Sequence, residues 1–206
     1  MSNKKSGKST LLMSVIMSSP GPLVVGLGLL VGQSSTQIAD FVRRSIELLA
    51  IILSFVVYCI TTKDDVINEI KKKKYEKITN IFVSIAMIVS GIIMFILAFN
   101  STTEDKGNVI PGLAIAILGF VANSIFWFKY TKLSKETNNN ILKIQSKLYR
   151  AKTFVDFSVM IALGVVLLST NPTICYYFDL IGTIIVSIYL FLTGVKSLID
   201  ELKKSS

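Results

Sequence analysis

The sequence predicts an all-α polytopic membrane protein with six transmembrane helices and both termini in the cytoplasm. Three observations carry that prediction. Apolar runs of bilayer-spanning length recur along the chain. The connections between them alternate between strongly basic and nearly uncharged. The composition is that of a lipid-embedded chain, with 51% hydrophobic and only 17% charged residues and a mean hydropathy of +0.62. A soluble domain carries about a quarter charged residues. The excess apolar surface cannot be hidden in one globular core, because it comes in runs long enough to cross a hydrocarbon layer of about 30 Å.

Six runs of about 20 residues satisfy that length: Leu11–Val31, Ile38–Ile60, Ile78–Phe99, Val109–Phe128, Thr153–Ser169 and Thr173–Val195. Each is bounded by polar or breaker residues: Gln33-Ser34-Ser35, the segment Thr61–Lys77, Asn100–Asn108, the segment Lys129–Lys152, and Asn171-Pro172. Pro20-Gly21-Pro22 should break or kink the first run, so its outer part is expected to be the more secure helix. This divides the chain into a cytoplasmic N-terminal segment (1–10), a six-helix transmembrane domain (11–197) and a short cytoplasmic tail (198–206), with no C-terminal cytosolic domain expected.

Orientation follows from charge. Of the 22 Lys and Arg residues, nineteen lie before span 1, between spans 2 and 3, between spans 4 and 5, and after span 6. A single one, Lys106, lies on the opposite set of connections. Cytoplasmic connections hold the excess of Lys and Arg, so the basic side is inside. The expected location is the plasma membrane, crossed several times, with the lipid bilayer as the main partner. The run Lys71–Lys74 could serve as a nucleic-acid or headgroup patch, but it serves equally as a topology determinant. No nucleic-acid partner is expected, although the net charge is +9.

Arg43 and Arg44 remain, and they lie inside span 2 with Asp40 and Glu47 beside them. Positions 40, 43, 44 and 47 follow i, i+3, i+4, i+7, so all four side chains project from one stripe of one helix. Each charge at membrane depth costs about 2.5–3.5 kcal/mol on insertion scales, so the stripe must face the bundle interior or a wet cavity. They can pair along the helix, as Asp40 with Arg43 or Arg44, and Arg43 with Glu47. A second set opens span 5, where Lys152 and Asp156 stand four apart with Ser158 following. Asp179 lies near the outer end of span 6. These groups read either as ion-pair clamps between helices or as a polar pathway for an ion or substrate. No enzyme is expected, since no nucleophile–base pair, cofactor loop or metal motif appears and the chain has no histidine. Cys59 and Cys175 show no ligand spacing and read as structural thiols.

The segment Gln33–Ala50, QSSTQIADFVRRSIELLA, resembles the second transmembrane helix of the cation diffusion facilitators. That helix typically places a ligand three residues after an Ala-Asp and another four residues later. The Ala-Asp falls here on Ala39-Asp40, and the ligand positions fall on Arg43 and Glu47. The family's His-x-x-x-Asp of helix 5 falls on Lys152 and Asp156, although an ungapped match would put Lys152 on the acid position. Asn123 in span 4, Phe178-Asp179 and the closing GVKSLIDEL also resemble the family. The resemblance implies a proton-coupled exporter of divalent metal, dimeric as a homodimer or heterodimer. The metal would be the substrate, held at mid-membrane by ligands from helices 2 and 5, and no cofactor is implied.

Two of those four positions hold cations. Glu47 and Asp156 remain as candidate metal ligands, with Arg43 and Lys152 beside them. The charges of this quartet sum to zero, as two carboxylates and a divalent ion would. The sequence therefore supports a cation transporter of the diffusion facilitator type. The alternative is a transport-inactive or metal-independent relative, acting as a partner or scaffold subunit, in which Arg43/Glu47 and Lys152/Asp156 ion pairs replace the metal site. A third reading, in which the basic side chains receive an anionic solute, follows from the same residues.

Overall fold

The computed structural model describes residues 2–29, 35–63, 69–100, 110–168 and 171–203. These residues form α1 (Ser2–Ser18), α2 (Pro20–Leu29), α3 (Ser35–Lys63), α4 (Glu69–Asn100), α5 (Ile110–Thr137), α6 (Asn140–Leu168) and α7 (Pro172–Lys203). No strand occurs among the described residues. The all-α class is therefore as expected. Among the described residues three stretches are long and apolar enough to cross a membrane by length and composition: Phe41–Thr62, Glu69–Phe99 and Tyr176–Lys203. Large apolar side chains such as Val24, Leu118, Leu168 and Ile185 are exposed on the outside of the bundle. An apolar exterior of this extent is what a lipid solvent requires.

The first run is broken where its prolines predict. Pro20 and Pro22 lack the N–H groups that would bond back into α1, so the helix stops at Ser18 and restarts at Pro20. Ser19 closes α1 by donating both its N–H (3.0 Å) and its hydroxyl (2.7 Å) to the Val15 carbonyl. The outer part is helical to Leu29, the last residue described there, and the inner part is helical throughout. Its anchor is a set of hydroxyl contacts: Ser14 Oγ to Tyr130 OH at 2.7 Å and Ser18 Oγ to Tyr149 OH at 3.1 Å.

The segment Lys129–Lys152, read above as a polar connection, is helical except for Asn138 and Asn139. Lys129, Lys132, Lys135 and Lys143 lie on exposed sides, while Tyr130, Leu133, Ile141, Leu142, Leu148 and Tyr149 recur at helical spacing and are buried; Lys152 at the end of the segment turns inward with the buried side of α6. The two asparagines make the reversal. Asn138 adopts φ +48°, the left-handed position that ends a helix. Asn139 Oδ1 then accepts from the Ile141 and Leu142 amides at 2.9 and 3.2 Å, capping α6. At the other end of the bundle Asn171 Oδ1 accepts from Thr173 N at 3.0 Å, with Pro172 opening α7.

α4 lies along α7 and α5 along α6, with α3 against α4 and α1–α2 against α3. Two glycines set the α4–α7 separation. A Cβ on Gly91 would stand 2.9 Å from Phe191 N and Ser187 O, and one on Gly194 would stand 2.9 Å from Ile88 N and Ser84 O. Backbone thus touches backbone at both places, the close approach that small residues permit between membrane helices. Tyr130, Tyr149 and Phe126 stack beneath α1, with centroids 5.2 Å (Phe126–Tyr149) and 5.3 Å (Tyr130–Tyr149) apart. This aromatic block brings α5 and α6 to the face of α3 that carries the charges.

Candidate functional site

A cavity of about 420 Å³ opens between α2, α3, α5 and α6, and Arg43, Arg44, Glu47, Asn123 and Lys152 all line it. Phe126, Leu118 and Val155 supply its apolar wall. α3 contributes three of the charges because positions 43, 44 and 47 share one stripe, as the spacing requires. Glu47 is 3% exposed and Arg43 7%. Arg43 Nη1 lies 3.1 Å from Glu47 Oε1 along α3, and Lys152 Nζ reaches the other oxygen, Oε2, from α6 at 3.7 Å. One carboxylate is thereby shared by two cations on two helices. Lys152 also stands over the Tyr149 ring, 5.2 Å from its centroid, which favours the charged amine on its open side. The buried Ser90 hydroxyl of α4 faces Glu47 without closing a full hydrogen bond to it. Arg44 lies against α2, where a Cβ on Gly21 would come within 3.4 Å of Nη1.

Asp156 is arranged differently. It stands one turn beyond Lys152 on α6, and its Oδ2 accepts from Asn123 Nδ2 of α5 at 2.5 Å. Gly119 makes room for it, since a Cβ there would lie 3.0 Å from Oδ2. Lys152 therefore directs its amine to Glu47 across the helix interface, and its i,i+4 neighbour Asp156 is held by an amide. Among the described residues no group of three or more His, Cys, Asp or Glu side chains is placed to hold a metal ion. Cys59 is a free thiol, half-buried near the far end of α3. The structure thus brings Arg43, Arg44, Glu47 and Lys152 to one cavity with Asp156 at its edge. The side chains of Asp40, Cys175 and Asp179 lie outside the described residues.

The roles of three features were not visible in the residue pattern. Asn123 stood out only through the family resemblance, and its i,i+4 pairing with Gly119 in the apolar part of α5 is a signal that could have located the seat of Asp156. Ser90 had no such signal, being one hydroxyl in an apolar run. The buried bond from Gln145 Nε2 to Ser54 Oγ, 2.7 Å long, ties α6 to α3 two turns below Glu47. It depends on a register that only the packed helices reveal.

The family model for the cation efflux transmembrane domain matches residues 11–204. The chain belongs to the cation efflux family. A search of curated proteins returned no significant match. Membership covers almost every described residue, and with three apolar helices of spanning length it makes the chain an integral membrane protein of a cation-transporter family. The expected resemblance to the cation diffusion facilitators is therefore confirmed at the level of the family. Cation efflux proteins are transporters rather than enzymes, which agrees with the lack of a nucleophile–base pair in the sequence.

Proposed function

We propose that this chain is a six-span cation efflux protein of the plasma membrane, with both ends in the cytoplasm, whose central site is held by its own cations in place of a divalent ion. The observation that supports this reading is the sharing of Glu47 between Arg43 at 3.1 Å and Lys152 at 3.7 Å. These are the positions that match the family's ligand pattern. A metal ion gains its affinity from deprotonated ligands that converge on it. Here the carboxylate best placed to converge already has two positive partners, and a divalent ion would have to displace both. The protein then acts as a metal-independent partner or scaffold subunit, joined to a second copy or to a related chain.

A second reading keeps divalent cation efflux, coupled to protons, through the same cavity. One observation favours it. Asp156 is held by Asn123 at 2.5 Å rather than by a cation, so it is a carboxylate that an incoming ion could recruit. In that mechanism Lys152 releases Glu47 while its amine stays over the Tyr149 ring as the ion reaches Glu47 and Asp156, and it re-engages Glu47 when the ion leaves. The amine would then substitute for the ion in the empty half of the cycle.

Calorimetry on the purified protein separates the two. The first reading expects no saturable Zn²⁺ or Mn²⁺ binding at micromolar concentrations. It also expects binding to appear in Arg43→Asp/Lys152→His, and to weaken as pH falls because protons compete for the new ligands. Circular dichroism and elution volume check that the variant is folded. Tight binding by the unaltered protein, lost in Glu47→Gln, would overturn the first reading and establish the second.

A further inference from the structure

A second cavity, of about 250 Å³, opens between the lysine-bearing ends of α4, α6 and α7. Asn80, Lys143, Lys147, Asp200 and Lys203 line it, and Ile144 adds an apolar wall. Lys147 is already engaged: its Nζ donates to Ser197 Oγ at 2.9 Å and lies 3.8 Å from Asp200. Burial pulls the Lys147 amine below the ordinary lysine range, while Asp200 acts in the opposite sense. Asn140 closes one end by donating to Glu76 at 3.4 Å. Asn80 is 2% exposed, and its side-chain oxygen has no hydrogen-bond partner among the described residues. A buried acceptor without a donor is costly, so the cavity suits a ligand that brings a donor to Asn80 Oδ1. Lys143 and Lys203 stand exposed at the rim.

We propose that this cavity binds the headgroup of an anionic phospholipid that carries a hydroxyl, as a phosphoglycerol headgroup does. The phosphate sits between Lys143 and Lys203, and a headgroup hydroxyl donates to Asn80 Oδ1. Depth supports a lipid over a solute: Asn80 lies two residues inside the run Ile78–Phe99, and Ser197 lies two residues past the end of Thr173–Val195. This reading of depth rests on the six-span arrangement proposed above. Charge supports an anion, since the lining holds three lysines against Asp200 and Glu201. Asp200 is moreover paired with Lys147. Basic pockets between helices at the cytoplasmic interface take anionic headgroups for the same reason. A phosphocholine group offers neither net charge nor a hydrogen-bond donor for Asn80.

The test uses the full chain purified in detergent with equal amounts of phosphatidylglycerol, phosphatidylethanolamine and phosphatidylcholine, with retained lipid read by native mass spectrometry. Phosphatidylglycerol is expected to exceed phosphatidylcholine by about 25-fold, about fivefold for each rim lysine. The preference should collapse in Lys143→Ala/Lys203→Ala and persist in Lys132→Ala/Lys135→Ala, which removes two lysines from α5. In Asn80→Ala the protein should no longer distinguish phosphatidylglycerol from phosphatidylmethanol, which lacks the hydroxyl. Equal retention of phosphatidylethanolamine or phosphatidylcholine overturns the proposal, as does an unchanged preference in the double lysine variant. Displacement of the lipid by soluble glycerol phosphate would identify a free phosphate ester as the ligand and overturn the lipid assignment. Thiol labelling of Asn68→Cys and Asn108→Cys on the same protein tests the topology independently. Loss of lipid preference with the topology intact therefore counts against the cavity alone.

Discussion

Replacing Glu47 by glutamine removes the carboxylate that Arg43 and Lys152 share. At an effective dielectric constant of 20, the 3.1 Å and 3.7 Å separations correspond to attractions of about 5 and about 4.5 kcal/mol before desolvation is subtracted. Breaking one buried pair costs about 3–5 kcal/mol net, because the remaining charge stays buried without its partner. Glu47→Gln strands two such charges and should reach the upper end, about 5 kcal/mol. Arg43→Gln should cost about 3 kcal/mol, since Lys152 still balances the carboxylate. Lys152→Gln should cost less again, because its contact is longer and its side chain is 16% exposed against 9% for Arg43. Arg43 cannot relieve its stranding by losing a proton, whereas Lys152 can. Combining Glu47→Gln with Arg43→Gln should therefore recover part of the loss, and with Lys152→Gln recover less. Equilibrium unfolding in mixed micelles, followed by the fluorescence of the single tryptophan, Trp127, measures all five variants against the unaltered protein. A Glu47→Gln loss no larger than that of Arg43→Gln, or double variants that simply add, would refute the shared carboxylate.

Further outcomes follow from other parts of the molecule. Gly91→Ala and Gly194→Ala should each destabilise the bundle by about 1–3 kcal/mol, because the new methyl meets backbone that cannot yield without spreading α4 from α7. Gly164→Ala meets nothing within 4 Å and should be neutral or stabilising by up to about 1 kcal/mol in the same unfolding assay. After reductive methylation with ¹³C, the Lys147 resonance should titrate below 10.5, the ordinary lysine value, because burial disfavours its charge. Since the folded value is lowered, the burdened charged form is present at neutral pH. Stability should therefore rise slightly as pH climbs through the Lys147 titration toward 10.5. A Lys147 that titrates with the exposed lysines would contradict this. Finally, in a background without Cys59 and Cys175, single cysteines at Asn68 and Thr137 should resist an impermeant thiol reagent in intact cells, and one at Asn108 should react. Labelling at Asn68 would invert the orientation.

The sequence by itself determined the helical class, the breaks at Pro20 and Asn171-Pro172, the family resemblance and the stripe 43, 44, 47. These depend on chain-local quantities: the length of apolar runs, the missing amide of proline and the pitch of one helix. Local spacing could not say which partner a charge selects when several stand within reach. The i,i+4 spacing favoured Lys152 with Asp156, but the helices cross so that Lys152 meets Glu47, while Asn123 and Gly119 of α5 receive Asp156. Nor could composition show that Lys129–Lys152 is two helices and a two-asparagine turn, because lysines on an exposed helical face and lysines in a loop have the same sequence signature. The seat of Ser90 and the bond between Gln145 and Ser54 likewise came only with the tertiary structure. Each depends on the register between helices, which is set by steric contacts such as the backbone approach at Gly91 and Gly194. Such contacts join residues far apart in the chain, and no local pattern records them.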